Sequence, residues 1–460
     1  MEFKIPQSVE FLLDKLNKSN YEAYVVGGCV RDMIMGKIPH DYDITTNALP
    51  KEIKEVFKDY ELINNNGEKH GTVTVRYNNE NYEITTYRVD VESVDHRHAE
   101  VEFTSSLEED LKRRDFTINA MAMDKKGHIY DFFGGREDIK NKVIKCVGDP
   151  QERFNEDYLR VLRAMRFACV LGFDIEQNTL EAMLNYSIYL NQISVERIKA
   201  ELDKMIETYN FVKLMHTRAR YVIFAVIPEL SFLLDFDQKN KYHQFDLYNH
   251  TLKVVESVVP NKMVKYAALL HDIGKPFSNQ EYIDENGVLR RHYYHHPIYS
   301  LQIATKIIER LKFSTFETEV IRFLIENHDY DLSENKKSIK KFLFKFPEKF
   351  DKHQKYNLFY MWYSLRKADQ EAHDWSQNPI KQKNMHKILE LFEEVFNQEE
   401  CFTLKNLSIN GRDLIVLGYE GKIIGKILKD CLNKVILEEK ENFKEPLLEY
   451  VKENYKIVDL

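Results

Sequence analysis

Hydrophobic and polar positions change rhythm along this chain, and the change divides it. Over residues 1–150, short β-type runs alternate with short helical ones. Gly71-Thr72-Val73-Thr74-Val75-Arg76-Tyr77 and Tyr82-Glu83-Ile84-Thr85-Thr86-Tyr87 predict two strands, joined by a turn over Asn78-Asn79-Glu80-Asn81. From 151 to 240 the period lengthens. Apolar residues recur at three- and four-residue spacing through Tyr158–Leu171 and Ile198–Ile206, which predicts helices. Residues 241–375 read as helical and concentrate histidines; 376–460 read as helical, rich in Lys and Glu, with a glycine-punctuated stretch. No fixed-period repeat and no low-complexity segment stands out. The expected fold class is α+β: a head over 1–150 with a small mixed sheet, then helical domains over 151–240, 241–375 and 376–460. At 460 residues several cores are expected rather than one.

Composition narrows the class. Apolar residues make up 43% of the chain, enough for several cores, and no run approaches the ~18 apolar residues of a membrane span. The opening Met1-Glu2-Phe3-Lys4-Ile5-Pro6 lacks a signal-peptide apolar core. Cys29, Cys146, Cys169, Cys401 and Cys431 are scattered and form no Cys-x-x-Cys pair, so reduced thiols in a cytoplasmic protein are expected. A net charge of −8 argues against broad, non-specific coating of nucleic acid and leaves room for a local basic face. Lys336, Lys337, Lys340, Lys341 and Lys345 read as a solvated helix face interleaved with core aromatics.

Candidate chemistry begins early. In Val25-Val26-Gly27-Gly28-Cys29-Val30-Arg31-Asp32 a β-branched run breaks at a glycine pair, which lets backbone N–H groups approach a phosphate chain. Asp41 and Asp43 follow at the i, i+2 spacing that shares one face of a strand and can hold one metal cluster. Together they point to metal-dependent phosphoryl or nucleotidyl transfer. Asp110-Leu111-Lys112-Arg113-Arg114-Asp115-Phe116-Thr117-Ile118-Asn119 adds charge for phosphate and hydrogen bonds for ribose. In Asp149–Phe167, a helix would place Asp157, Arg160 and Arg163 on one face. Arg160, Arg163 and Arg166 have few acidic partners one turn away, which leaves them for ligand.

These blocks, with Thr85–Asp124 and Ser194-Val195-Glu196-Arg197-Ile198, resemble the class II tRNA nucleotidyltransferases (CCA-adding enzymes) and the related bacterial poly(A) polymerases. The resemblance implies a polymerase-β-like nucleotidyltransferase head, a nucleotide-selecting neck and a tRNA-binding tail. It implies that Asp41 and Asp43 are catalytic and bring Mg²⁺ to the 3′-hydroxyl and the triphosphate. Glu83 is either a third carboxylate or an edge-strand charge. Gly27, Gly28, Arg31, Arg114, Asp115, Asn119, Asp157, Arg160, Arg163 and Arg166 are the expected nucleotide-binding residues. Arg31 and Asp32 brace the loop and triphosphate, and Asp157 with Arg160 forms an amino-acid template. That template agrees with base chemistry. Cytosine and adenine each set an exocyclic amine donor beside a ring-nitrogen acceptor, and a carboxylate beside an arginine complements both and mismatches uracil and guanine. Val89–Glu102, which includes His98, resembles the mobile loop of enzymes that add A, a loop that CC-adding enzymes tend to lack.

A second constellation lies in the middle. His250, then Ala267-Ala268-Leu269-Leu270-His271-Asp272-Ile273-Gly274-Lys275-Pro276, His295-His296, His328-Asp329 and Asp369 resemble the HD phosphohydrolase superfamily. The resemblance implies one divalent metal on His250, His271, Asp272 and Asp369, and a second site completed by His296 and His328; imidazole with carboxylate suits Mg²⁺, Mn²⁺ or Ni²⁺ alike. His243 and His295 have no clear place. The expected activity is template-independent addition of C, C and A to tRNA from CTP and ATP, with pyrophosphate released and no membrane partner. Three readings stay open beside it: an A-adding enzyme, a poly(A) polymerase, and an HD phosphohydrolase acting on RNA ends as the main activity. In the tail, Gly411, Gly418, Gly421 and Gly425 either cap helices or meet RNA phosphates. The sequence does not speak to oligomeric state.

Overall fold

The computed structural model describes residues 4–63, 70–91, 100–240, 245–373, 384–397 and 404–455. It is α+β, and its chain forms two compact units, Met1–Pro228 and Glu229–Leu460.

The first unit is built on a seven-stranded mixed sheet. Its strands are β1 (Ala23–Val26), β2 (Asp43–Thr46), β3 (Glu61–Ile63), β4 (Thr72–Tyr77) and β5 (Glu80–Thr86). After a separate hairpin of β6 (Arg88–Val91) and β7 (Glu100–Phe103) come β8 (Ala122–Met123) and β9 (Ile129–Tyr130). The order is β3-β4-β5-β2-β1-β8-β9, with β2 and β5 parallel and the other neighbours antiparallel. The two expected strands are β4 and β5, but the turn between them is shorter than expected. Asn78 (φ 51) and Asn79 (φ 64) both take the left-handed conformation of a two-residue hairpin turn, which asparagine tolerates. Along β5, Tyr82, Ile84 and Thr86 are buried while Glu83 is exposed, the period of two that aims Glu83 away from the core. Val9, Leu12, Leu13 and Leu16 bury one stripe of the helix Gln7–Lys18.

Two expectations need correction here. Val89–Glu102 is not a loop throughout, since its ends pair as β6 and β7; residues 92–99, His98 among them, lie outside the described residues. Nor does one helix carry Asp157, Arg160 and Arg163. Helices Pro150–Glu156 and Leu159–Leu171 meet at Asp157, which is extended (φ −149, ψ 105). Its carboxylate accepts from Leu159 N (3.1 Å) and starts the second helix, the local competition with helical bonding that aspartate favours.

The second unit is helical apart from a hairpin, Asn279–Ile283 with Leu289–Tyr293, that the periodicity does not disclose. Lys262–Leu270 is buried on nearly every side, through Val264, Tyr266, Ala267, Ala268, Leu269 and Leu270, so the His271-Asp272 doublet that follows it lies in the interior. The lysine-rich helix Lys336–Phe344 is not wholly solvated: Lys340 is 4% exposed and pairs with Glu438 at 2.6 Å. Leu414, Ile427, Cys431, Leu447 and Val451 belong to a separate tail core. Among the described residues no helix is long and apolar enough to cross a membrane.

Candidate functional site

In the head, the strand turns into the helix Gly28–Ile34 through Gly27, whose φ of +81 favours glycine; a Cβ there would also stand 3.2 Å from an Arg114 nitrogen. Asp43 is the first residue of β2, and Asp41 lies just before the strand; both are exposed. The β2–β5 register pairs Ile44 with Ile84, which brings Asp43 level with Glu83. Desolvation pushes the Asp43 carboxyl above its usual value; Arg114 opposes this, and the like charges of Glu83 and Asp41 add to it. Three carboxylates that repel one another at a surface are a donor set that fits a hard divalent cation.

Behind them runs a chain of ion pairs. Arg31 holds Asp32 (2.8 Å) and donates to Asn119 Oδ1 (2.7 Å). Asp115, 7% exposed, takes the Arg163 guanidinium at 2.5 and 2.8 Å. Burial pushes the Asp115 carboxyl up, but Arg163, with help from Arg160 and Asn119, holds it below the usual range. Buried Asp110 is likewise pushed up by burial and held down by Arg114 and Arg113. Arg166 pairs with Glu201 (2.5 Å), and Arg31, Arg163 and Arg166 gather on the Phe167 ring, Arg166 at 3.9 Å.

So the arginines are not left without acidic partners. Arg160 pairs with Glu156 and donates to the carbonyls of Arg153 and Arg113, and Asp157 pairs with Arg197 at 3.0 Å. The Asp157 and Arg160 side chains engage other protein groups, and the Arg160 backbone N–H donates to the Asp157 carbonyl (2.9 Å). Sequence reasoning gave no role to Phe167, Asp110 or Glu201. The signal for Phe167 was its place between Arg163 and Arg166; Glu201 left none, being 35 residues from its partner.

The six expected metal ligands of the histidine constellation are drawn together. Nε2 of His250 lies 3.2 Å from Asp369 Oδ1 and 3.5 Å from Asp272 Oδ2, and His271 Nε2 lies 3.1 Å from that same Asp272 oxygen. The other Asp272 oxygen faces His296 Nε2 (3.2 Å) and His328 Nε2 (3.5 Å). His250, His271, Asp272 and Asp369 form one group that can hold a metal ion; Asp272, His296 and His328 form another.

The tautomers decide the fit. Nδ1 of His271, His296 and His328 each meets a backbone carbonyl, of Ala268 (2.8 Å), Tyr293 (3.0 Å) and Ile325 (2.7 Å). Each Nδ1 therefore carries a proton, and each Nε2 turns inward, as a lone pair wherever the ring is neutral. The His296 and His328 Nε2 atoms face each other at 3.0 Å, where two lone pairs repel unless a cation lies between them. His271 Nε2 makes no hydrogen bond of good geometry either. The residues fit a divalent metal.

Burial pushes His250 down to about 4. Burial also draws His271 down, but Asp272 and Asp369 outweigh it and carry the ring up to about 10, so a metal here displaces a proton. Lys275, 4% exposed, reaches Asp272 (2.7 Å) and Gln238 (3.0 Å). His373, which sequence reasoning passed over, packs on His250 at 5.2 Å and bonds the Asp369 carbonyl; its signal was the i+4 spacing from Asp369. His295 stands apart and is exposed; His243 lies outside the described residues.

Comparison with known proteins now decides the architecture. Residues 23–145 match the poly A polymerase head domain and residues 247–356 the HD domain. The chain carries a poly A polymerase head domain and an HD domain. Between and after them, 172–233 match the RNA and SrmB-binding site of polymerase A, and 307–451 match tRNA nucleotidyltransferase domain 2. The chain is similar to the CCA-adding enzyme of Oceanobacillus iheyensis, 49% identical over 197 residues, 43% of this chain and 48% of that protein. It is also similar to the CCA-adding enzyme of Staphylococcus aureus, 43% identical over 237 residues, 51% and 58% of the two chains. The matched region thus spans about half the length of these curated relatives. In fold, the similarity extends further. The Bacillus stearothermophilus CCA-adding enzyme, solved in complex with CTP, aligns over 97% of this chain and 96% of its own, at 26% identity and a TM-score of 0.66.

Proposed function

We propose that this chain is a cytoplasmic CCA tRNA nucleotidyltransferase that adds C, C and A to tRNA 3′ ends from CTP and ATP and releases pyrophosphate. The observation that carries the reading is the placing of Asp43 level with Glu83 on the neighbouring strands β2 and β5, with Asp41 just before β2, in a chain 49% identical to a CCA-adding enzyme over 197 residues.

Asp41 and Asp43 are the catalytic carboxylates and would hold Mg²⁺, which when bound stabilises the attacking and leaving oxygens of an in-line displacement. Gly27 and Gly28 admit the triphosphate beside Arg31 and Arg114. Asp115 and Asn119 position Arg163 and Arg31 from below. Asp157 and Arg160 read the base edge once they exchange their present partners for it, which accepts C and A and leaves U and G mismatched. Arg163 and Arg166 hold the wall of the site on Phe167. In this reading 1–150 is the catalytic head, 151–240 the selecting neck, 241–375 the HD domain and 376–460 a tRNA-binding tail.

The test offers full chain with tRNA ending at the discriminator base, at C or at CC, and labelled CTP or ATP. Incorporation of C on the first substrate and of A on the third is expected. ATP alone used on every end would instead make it an A-adding enzyme or a poly(A) polymerase.

A specific observation favours a second activity beside the first. The opposed His296 and His328 lone pairs and the shared Asp272 suit two divalent ions, so the HD domain would act as a metal-dependent phosphohydrolase on RNA ends or nucleotides.

A further inference from the structure

The hairpin Asn279–Ile283 with Leu289–Tyr293 has two unlike faces. One is seated on the chain before it. Arg291 donates to Asp237 O at 2.7 Å and lies 5.0 Å from the Phe236 ring, and the Tyr293 hydroxyl donates to Gln238 O at 2.6 Å. The period of two turns Tyr282, Arg290 and His292 to the other face, and Tyr294 continues that line. There the Tyr282 and His292 rings lie parallel, 4.1 Å apart and 4° from coplanar, and Tyr294 follows His292 at 5.1 Å. Tyr282 and Tyr294 are 39% and 55% exposed, and His292 is exposed as well. Stacked on one another with partly exposed ends, three rings in a row are the kind of platform on which single-stranded nucleic-acid binders stack bases, because every base has a π face.

The position of this ladder matters as much as its make-up. His295 takes the left-handed conformation (φ 60), and the chain then enters the helix that opens at His296. Of the six side chains of the metal-type cluster, His296 is the most exposed at 13%; the others run from 0% to 6%. The cluster is therefore most accessible at the residue two positions beyond Tyr294. We propose that the Tyr282–His292–Tyr294 ladder is a stacking subsite for an unpaired nucleobase whose attached phosphate is presented to the HD cluster. This rests on the phosphohydrolase reading of that cluster. The base can belong to an RNA 3′ end or to a free nucleotide, and the two are told apart below.

The experiment uses chelator-treated full chain, irradiated with either of two probes: a short RNA ending in 5-iodouridine with a 3′-phosphate, or 5-iodouridine 3′-monophosphate alone. Crosslinked peptides are mapped by mass spectrometry. Photoproducts on Tyr282 or Tyr294 are expected. Capture of the RNA alone identifies an RNA end, and equal capture of both identifies a nucleotide. Tyr294→Ala should weaken binding of the captured probe by roughly 5- to 150-fold, and Tyr294→Phe should restore it. Tyr294 lies beyond the last paired residue of the hairpin, so its loss leaves the register intact, and Tyr282→Ala provides a second variant.

Photoproducts confined to Met1–Pro228 would overturn the subsite. So would an abasic oligomer that binds as tightly, or a ladder shielded only by an apolar peptide. Crosslinks at the hairpin without hydrolysis under any divalent ion would remove the phosphohydrolase reading and keep the stacking site; hydrolysis unaffected by both tyrosine variants would do the reverse.

Discussion

The two metal-type sites of this chain are built on opposite principles. In the HD domain, His250, His271, Asp272, Asp369, His296 and His328 are nearly sealed from solvent and are gathered before any ligand arrives. In the head, Asp41, Asp43 and Glu83 are exposed, and among the described residues they do not form a group whose ligand atoms all approach within 4.8 Å. The difference fits what the proposed function would have each bind. Imidazole and carboxylate can supply a full ligand shell from the protein, whereas Mg²⁺ is usually held by one or two carboxylates together with substrate phosphates. In the proposed reading the head is a site completed by its nucleotide, whereas the HD cluster is gathered without one.

The sharpest way to break that comparison is to cross the two. Asp41→Ala or Asp43→Ala should lower CTP and ATP incorporation by roughly 10⁴-fold, the several kcal/mol that metal-assisted charge stabilisation supplies. The divalent metal retained by the purified chain, read by elemental analysis, should stay unchanged. His271→Ala should do the converse: it should lose the retained metal and any hydrolysis of a 2′,3′-cyclic nucleotide, and keep nucleotide addition. If either variant lost both properties while its circular dichroism stayed native, the sites would not be independent.

A middle-sized effect concerns selection. Asp157→Ala should relax choice among the four NTPs by roughly 10²-fold or more, if its carboxylate is the acceptor that rejects U and G as proposed. The rate with CTP should fall less than selectivity does. Because Asp157 also starts the helix Leu159–Leu171 and pairs with Arg197, Arg197→Ala separates the two roles. It breaks the pair and spares the acceptor, so selectivity should survive. Undiminished preference for C and A in Asp157→Ala would move base reading elsewhere.

What sequence could and could not show divides along the same physical line. Spacing within one element was legible: His271-Asp272 at the end of an apolar helix, Asp43 beside a glycine turn, and the strands β4 and β5. Partners brought together only by folding were not. Asp115 lies 48 residues from Arg163, so a search for charges one turn away misses it. The break at Asp157 depended on its side chain capturing Leu159 N, which a helical period does not encode. The hairpin at 279–293 was hidden for a related reason. Its strands are short and each face mixes polar with apolar or aromatic residues, so no alternation of apolar and polar residues marks it.

The smallest effect tests whether the head's arginines are held by ionised partners, as the HD cluster is to be held by metal. With its carboxyl held below the unfolded value of about 3.9, Asp115 contributes stability that is present above that pH and lost as pH falls through the lower folded value. Asp115→Asn keeps the shape and removes the charge from Arg163. At neutral pH it should destabilise the unit Met1–Pro228 by about 1.5 kcal/mol, the lower end for a hydrogen bond to a charged group, because the Arg163 side chain is 35% exposed and water compensates in part. The gap between variant and native chain should then close below about pH 4, as the native carboxylate is protonated. Taking the difference between the two chains cancels the acid response of the HD carboxylates, which both share. A gap that stayed constant down to pH 3 would mean Asp115 acts through shape alone, and the ion-pair chain behind Asp41 and Asp43 would lose its central link.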